Sequence, residues 1–192
     1  KKMKKIVFLS FIAVFAISCN CSKSECKSDC CDSTKTNKVQ TVTLKNLSQT
    51  PYTSNNVEGI NEICQFVKNC GTYYVATVDA DNKPRVRPFG TVNVYNANLY
   101  IQTGRKKRTV QQLMQNANVE ICAFDQKTGS WIRIQAVAVE DTTFDARKSM
   151  LDAYPSLRGM YSETDSNTCV LALTNGDAYI SSFGGEDKHI QF

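Results

Sequence analysis

Between residues 72 and 183 the chain alternates short β-rich runs with polar turn clusters, and this constrains its fold more than any other feature. Thr72 to Asp79, Arg85 to Tyr95 and Leu99 to Thr103 are such runs, divided by Asp79-Ala80-Asp81-Asn82-Lys83 and Asn96-Ala97-Asn98. β-Branched and aromatic residues suit a pleated, half-buried surface, so these runs read as an antiparallel meander. Val119 to Phe124 and Trp131 to Val139 repeat the pattern around Asp125-Gln126-Lys127-Thr128-Gly129. Cys169 to Leu173 and Ala178 to Phe183 read as a closing hairpin around Asn175-Gly176-Asp177.

Helical spacing interrupts the strands. Ile60, Ile63, Cys64 and Val67 form a stripe that stops at Asn69-Cys70-Gly71. Val110, Leu113, Met114 and Ala117 predict a helix of about three turns. Phe144 to Leu157 carries a third stripe through Ala146, Met150, Leu151 and Tyr154. Six or more strands with two to three helices predict an α+β domain over residues 57–192. A small barrel is its natural form, because closure removes exposed strand edges.

A different kind of sequence precedes this domain. Lys4-Lys5, the apolar run Ile6–Ile17 and Ser18-Cys19 have the layout of a secretory signal peptide, residues 1–18. The run falls short of the roughly 20 residues that a spanning helix needs. Ala16-Ile17-Ser18-Cys19 resembles the lipobox of bacterial lipoproteins, which implies acylation at Cys19 and a lipid-anchored, extracytoplasmic place in the cell envelope. Residues 19–56 are rich in Ser, Thr, Asn, Lys and Cys and read as a flexible tether. Cys21, Cys26, Cys30 and Cys31 fall in it with Cys19. Cys26-x3-Cys30-Cys31 reads as a soft-metal or redox cluster, or else the Cys-rich tether forms local disulfides in an oxidising compartment. The paired spacing of a zinc site is missing, so no metal is expected. Cys64, Cys70, Cys122 and Cys169 lie in apolar contexts and read as small core residues.

Charge narrows the function classes. The net charge is +5, but Lys1, Lys2, Lys4 and Lys5 belong to the leader, and the remainder is close to neutral. A nearly neutral domain gives no reason to expect nucleic acid. The one His, His189, lies in a polar C-terminal stretch and reads as exposed.

Two segments break the strand and helix patterns. In Pro84-Arg85-Val86-Arg87-Pro88-Phe89-Gly90, a strand puts Arg85, Arg87 and Phe89 on one face and Val86 and Pro88 on the other. Two prolines make that strand irregular or part of a rim. Its paired arginines are either an ordinary solvated face or answered by an anion. Gln102-Thr103-Gly104-Arg105-Lys106-Lys107-Arg108-Thr109 stands where a strand hands over to a helix. These residues are either a charged first turn exposed to water or an anion site; cations oppose the macrodipole at a helix start, and a bound anion reconciles the two.

From about Ile60 to Phe192 the chain resembles the pyridoxamine 5′-phosphate oxidase-like group of FMN-binding split barrels. The carrying segments are Gly71 to Thr77, Pro84 to Gly90, Leu99 to Thr103, Lys106-Lys107 with Leu113, Asn118 to Cys122, and Trp131 to Ile134. The resemblance implies a six-stranded antiparallel split barrel, a homodimer, and one FMN in each of two clefts shared between subunits. It implies that Arg85, Arg87, Pro88 and Phe89 line the ring and ribityl chain. Gln102, Thr103, Lys106 and Lys107 take the phosphate, and Trp131 and Arg133 approach from the later strand. Two departures argue against pyridoxamine phosphate as substrate. Lys107-Arg108-Thr109 replaces the usual Ser-Arg-Lys, and the Arg-rich C-terminal motif is missing from Gly184 to Phe192.

The expected function is therefore an FMN-dependent oxidoreductase acting on a small aromatic or quinone-like molecule, with an electron donor such as a reduced nicotinamide. The alternatives are a haem- or flavin-binding envelope lipoprotein without turnover, or a structural one with an empty cleft.

Overall fold

The computed structural model describes residues 53–192. The segment expected to be a signal peptide, the expected lipidation site Cys19 and the expected tether as far as residue 52 lie outside the described residues. Among the described residues no helix is long and apolar enough to cross a membrane.

The chain enters through α1 (Val57–Cys70), capped by the Asn56 side chain accepting from Gly59 N–H. Its predicted stripe, Ile60, Ile63, Cys64 and Val67, is fully inside. Burying each such side chain contributes roughly 1.5–3 kcal/mol, which is what fixes a helix of this length against the sheet. β1 (Tyr73–Val78) and β2 (Pro84–Phe89) form a hairpin, and β3 (Val92–Tyr95) and β4 (Asn98–Gly104) form a second. α2 (Arg108–Gln115), β5 (Asn118–Asp125) and β6 (Ser130–Asp141) follow. α3 (Phe144–Ala153) ends before Pro155, and a 3₁₀ turn (Pro155–Gly159) leads to β7 (Thr168–Ser182) and β8 (Lys188–Gln191).

The sheet order is β2-β1-β5-β6-β7-β4-β3, with β8 added to β7, and every pairing is antiparallel. Its outermost strands, β2 and β3, are separated in sequence only by Gly90 and Thr91. Two residues span about 7 Å, so the sheet must curl until its edges nearly meet. The edges do not pair, and the result is a split barrel. Ile121, Ile132, Ile134, Leu171 and Leu173 fill it, with α1 packed among them.

The α+β expectation holds, and three local readings are corrected. Arg85 to Tyr95 is two strands rather than one, because the chain turns at Gly90 and sends β3 to the far edge. The first three runs therefore do not form a meander. Asn175-Gly176-Asp177 is no hairpin either: β7 runs straight through it and carries one residue more than β6 between the Gln135–Asp177 and Val137–Thr174 pairs. This bulge places Asn175 at φ 50 and exchanges two backbone hydrogen bonds between Gly176 and Phe192, at 2.7 and 2.9 Å. Finally, Pro155 stops the third helix early, since it cannot donate to the ladder. The seven runs read as strands thus become eight: one divides into β2 and β3, the last two merge into β7, and β8 is added.

Cys64 and Cys169 are buried, as expected, and burial with nearby Glu140 pushes the Cys169 thiol up to about 12. Cys122 is not a core residue. It is exposed on the outer sheet face, opposite Tyr74 on β1 and Arg133 on β6.

Candidate functional site

A cleft of about 220 Å³ opens where the two sheet edges fail to meet. β2 contributes Arg87, Pro88 and Phe89, β4 contributes Gln102 and Thr103, and the start of α2 contributes Lys107 and Thr109. Leu157, Met160 and Tyr161 close the remaining side. Six of the ten residues singled out from sequence thus meet in one place.

Gln102 and Thr103 are 6% and 4% exposed, yet Gln102 Nε2 and Oε1 and Thr103 Oγ1 have no hydrogen-bond partner. Buried polar atoms are nearly always paired, so a cluster of such atoms at a cleft is open to a polar partner, water or ligand. The start of α2 shows the same want. Lys107 is its N-cap and no side chain caps it, while Val110 N–H already bonds to Lys107 O.

The expected cluster of cations is partly redirected. Arg105 turns inward and forms a two-pronged ion pair with Glu140, which is 3% exposed. Asn167 then takes the neighbouring N–H groups, its carbonyl accepting from Arg105 N at 2.7 Å and its Oδ1 from Lys106 N at 3.3 Å. Lys106, Lys107 and Arg108 form no ion pair among the described residues, and Lys107 alone of the three lines the cleft.

Arg85, Arg87 and Phe89 share one face of β2, as the spacing predicts. Arg85 pairs with Asp79 at 2.7 Å. It faces an adjoining groove together with Arg87, Arg108 and Gln112. Arg87 has only neutral partners: the Val75 carbonyl at 3.3 Å, Thr77 Oγ1 at 2.7 Å, the Arg85 carbonyl at 3.1 Å and Gln112 Oε1 at 2.6 Å. Burial, then the Arg85 charge, lowers its pKa. That direction means its positive charge is under-compensated, and an anion would relieve it.

Trp131 and Arg133 do not line this cleft within one chain. They lie on β6 on the outer sheet face, with Trp131 against Phe183 at 5.2 Å and Arg133 opposite Tyr179. Exposed Tyr74, Val86 and Phe124 share that face. His189 is also there, with Nε2 2.8 Å from Asp177 Oδ1 and its ring stacked on Tyr179 at 4.5 Å. Among the described residues no group of three or more His, Cys, Asp or Glu converges as a metal site. Nothing in the sequence points to Leu157, Met160 and Tyr161: they carry no motif, and only their position in space brings them to the cleft.

A family model described as pyridoxamine 5′-phosphate oxidase matches residues 60–181. A NimC/NimA family protein from Clostridium acetobutylicum is 38% identical, with a TM-score of 0.68 over 71% of this chain and 94% of that one. General Stress Protein 26 from Bacillus anthracis is 17% identical, with a TM-score of 0.55 over 72% of this chain and 100% of that one. A heme binding protein from Mycobacterium smegmatis is 11% identical, with a TM-score of 0.50 over 65% of this chain and 57% of that one. The latter two share the fold alone. Comparison with curated proteins finds no match.

Proposed function

Because the chain belongs to the pyridoxamine 5′-phosphate oxidase family, we propose that the cleft between β2, β4 and α2 binds FMN and that the protein is a flavin-dependent oxidoreductase. The observation that carries this reading is the group of unpaired buried atoms on Gln102 and Thr103. Leaving each of them unpaired costs roughly 1–3 kcal/mol, and a ligand rich in donors and acceptors removes that cost. FMN suits the other groups present. Its phosphate matches Thr103, Lys107 and the uncapped start of α2, with Lys106 just outside the cleft, while Pro88 and Phe89 offer apolar surface to a ring. Arg87 supplies the fixed positive charge between them. When bound, FMN would supply electron transfer from a donor such as a reduced nicotinamide to a small aromatic or quinone-like molecule.

A volume of about 220 Å³ is below the roughly 300–1,000 Å³ of a usual small-molecule site, which supports a pocket shared between two chains. A homodimer completes it in this reading, with Trp131 and Arg133 of the second copy reaching the cleft. The exposed outer-face residues Tyr74, Val86 and Phe124 supply apolar surface for that contact. Sedimentation at micromolar concentration is expected to give a dimer, and Phe124→Asp to shift it toward monomer. Export and a lipid at Cys19 complete the proposal; fatty-acid labelling should vanish in Cys19→Ser.

Flavin titration of the apo protein by fluorescence quenching tests the site. Changing Lys106 and Lys107 to Ala should weaken FMN by about two orders of magnitude and leave riboflavin, which lacks the phosphate, little changed. Equal FMN affinity would remove the phosphate assignment. A Soret band in the native protein, in place of flavin absorbance, would replace FMN by haem.

A further inference from the structure

We propose that the turn at Leu157, Met160 and Tyr161 is the substrate-side wall of the cleft and selects a planar, uncharged aromatic molecule carrying a hydrogen-bond acceptor. The proposal rests on the reading of the cleft as the FMN site, and it assigns residues that reading leaves unused.

The wall is apolar where it faces the cleft. Met160 is 70% exposed although it is a large apolar side chain, and it lines the opening with Leu157. A flexible thioether held in that position gives soft contact to an aromatic face, as Met does on binding surfaces. The charges of the same segment are engaged with one another: Arg158 pairs with Asp152 and Glu163, both at 2.6 Å. No charged side chain of the segment lines the cleft.

One directional group stands among these apolar ones. Tyr161 lines the cleft, and its hydroxyl makes no hydrogen bond among the described residues. It sits over Gly104, where an added Cβ would lie 3.2 Å from its oxygen. The hydroxyl is therefore a free donor beside Gln102 and Thr103, suited to a carbonyl or similar oxygen.

The wall is also held in place, which a selecting surface requires. The Tyr154 hydroxyl donates to the Val92 carbonyl at 2.9 Å and accepts from Val92 N–H at 3.0 Å. Arg147 donates to the carbonyls of Glu163 and Asp165 at 3.0 and 3.2 Å. Asp165 accepts from the N–H groups of Ser162, Asn167 and Thr168. The turn is thus tied to β3, to α3 and to the start of β7.

The test uses the full chain and three redox-inert probes: benzamide, its saturated twin cyclohexanecarboxamide, and the charged benzoate. Binding to the FMN-loaded protein is followed by the flavin absorbance shift. Benzamide should bind more tightly than either of the others. Met160→Asp should weaken benzamide by about tenfold or more, and Tyr161→Phe by about threefold to tenfold. Thermal unfolding of the flavin-free variants close to that of the parent shows that both fold, and benzamide is titrated into each at saturating FMN. Equal binding of benzamide and cyclohexanecarboxamide, or benzamide affinity unchanged in both variants, overturns the proposal. If the parent takes up no FMN, the flavin reading fails by itself. Calorimetry with benzamide on the flavin-free chain then still decides the wall: loss in Met160→Asp upholds it and retention overturns it.

Discussion

Arg87 Nη2 donates to Gln112 Oε1 at 2.6 Å, and this contact ties the edge strand β2 to the helix α2. Thr77 Oγ1 donates to the same oxygen at 2.6 Å and accepts from Arg87 Nη1 at 2.7 Å, closing a triangle of side chains. One guanidinium therefore both shapes the rim of the cleft and leaves its charge free for a ligand.

Arg87→Ala should weaken FMN and riboflavin together if, as proposed, this charge lies along the part common to both. The expected loss is about tenfold or more, with a fall in stability of roughly 1–3 kcal/mol from Thr77 and Gln112 losing a partner. Parallel flavin titrations and urea unfolding measure the two effects. Loss of FMN affinity alone would move Arg87 to the phosphate.

Thr103→Val should have effects of opposite sign. In the flavin-free protein it removes a buried unpaired hydroxyl, so thermal stability is expected to stay level or rise by up to about 1 kcal/mol. FMN should bind less tightly, by about fivefold to tenfold. A destabilised apo protein would mean that the hydroxyl has a partner after all.

Asp165 gives the 162–168 loop a pH dependence. Burial pushes its carboxyl up, but the N–H groups of Thr168, Ser162 and Asn167 outweigh burial and hold it at about 2, below the ordinary 3.8. A depressed carboxyl stabilises the fold fully above the unfolded value and loses that effect as pH falls through about 2. The difference in melting temperature between the parent and Asp165→Ala should be constant near neutral pH and shrink below about pH 4. A difference that grows on acidification would contradict the assignment.

Gly176→Ala should disrupt the C-terminus. A Cβ there would lie 2.2 Å from Phe192 Cζ, so the ring and β8 must move. The expected cost is roughly 1–3 kcal/mol. Combining it with Phe192→Ala should cost less than the two separate losses, since removing the ring relieves the clash. Additive losses in a double-mutant cycle would sink this explanation.

Much of the domain was legible from residue order. The α1 stripe needed only helical spacing, and Asn96-Ala97 needed only its turn chemistry: both residues take positive φ, at 46 and 56°, as a two-residue hairpin loop requires. The common face of Arg85, Arg87 and Phe89 followed from the two-residue period of a strand. Other features were hidden. Arg105 looked like its three cationic neighbours, and only Glu140, on the distant β6, separates it from them. Met160 and Tyr161 carry no motif, so nothing near them in sequence points to a cleft.

The residue pattern by itself determined where the three helices and most β-rich segments lie, where most turns fall, and that cations gather at the start of α2. Those properties depend on neighbours within a few positions. Tertiary structure decided the rest: that β2 and β3 part at Gly90 to become opposite edges of one curled sheet, and that β7 runs unbroken through Asn175-Gly176-Asp177. It also decided that Gln102 and Thr103 come to face Arg87 and Met160. Each outcome depends on which distant strands pair, a choice made by burial of the whole sheet and the two-residue link between its edges.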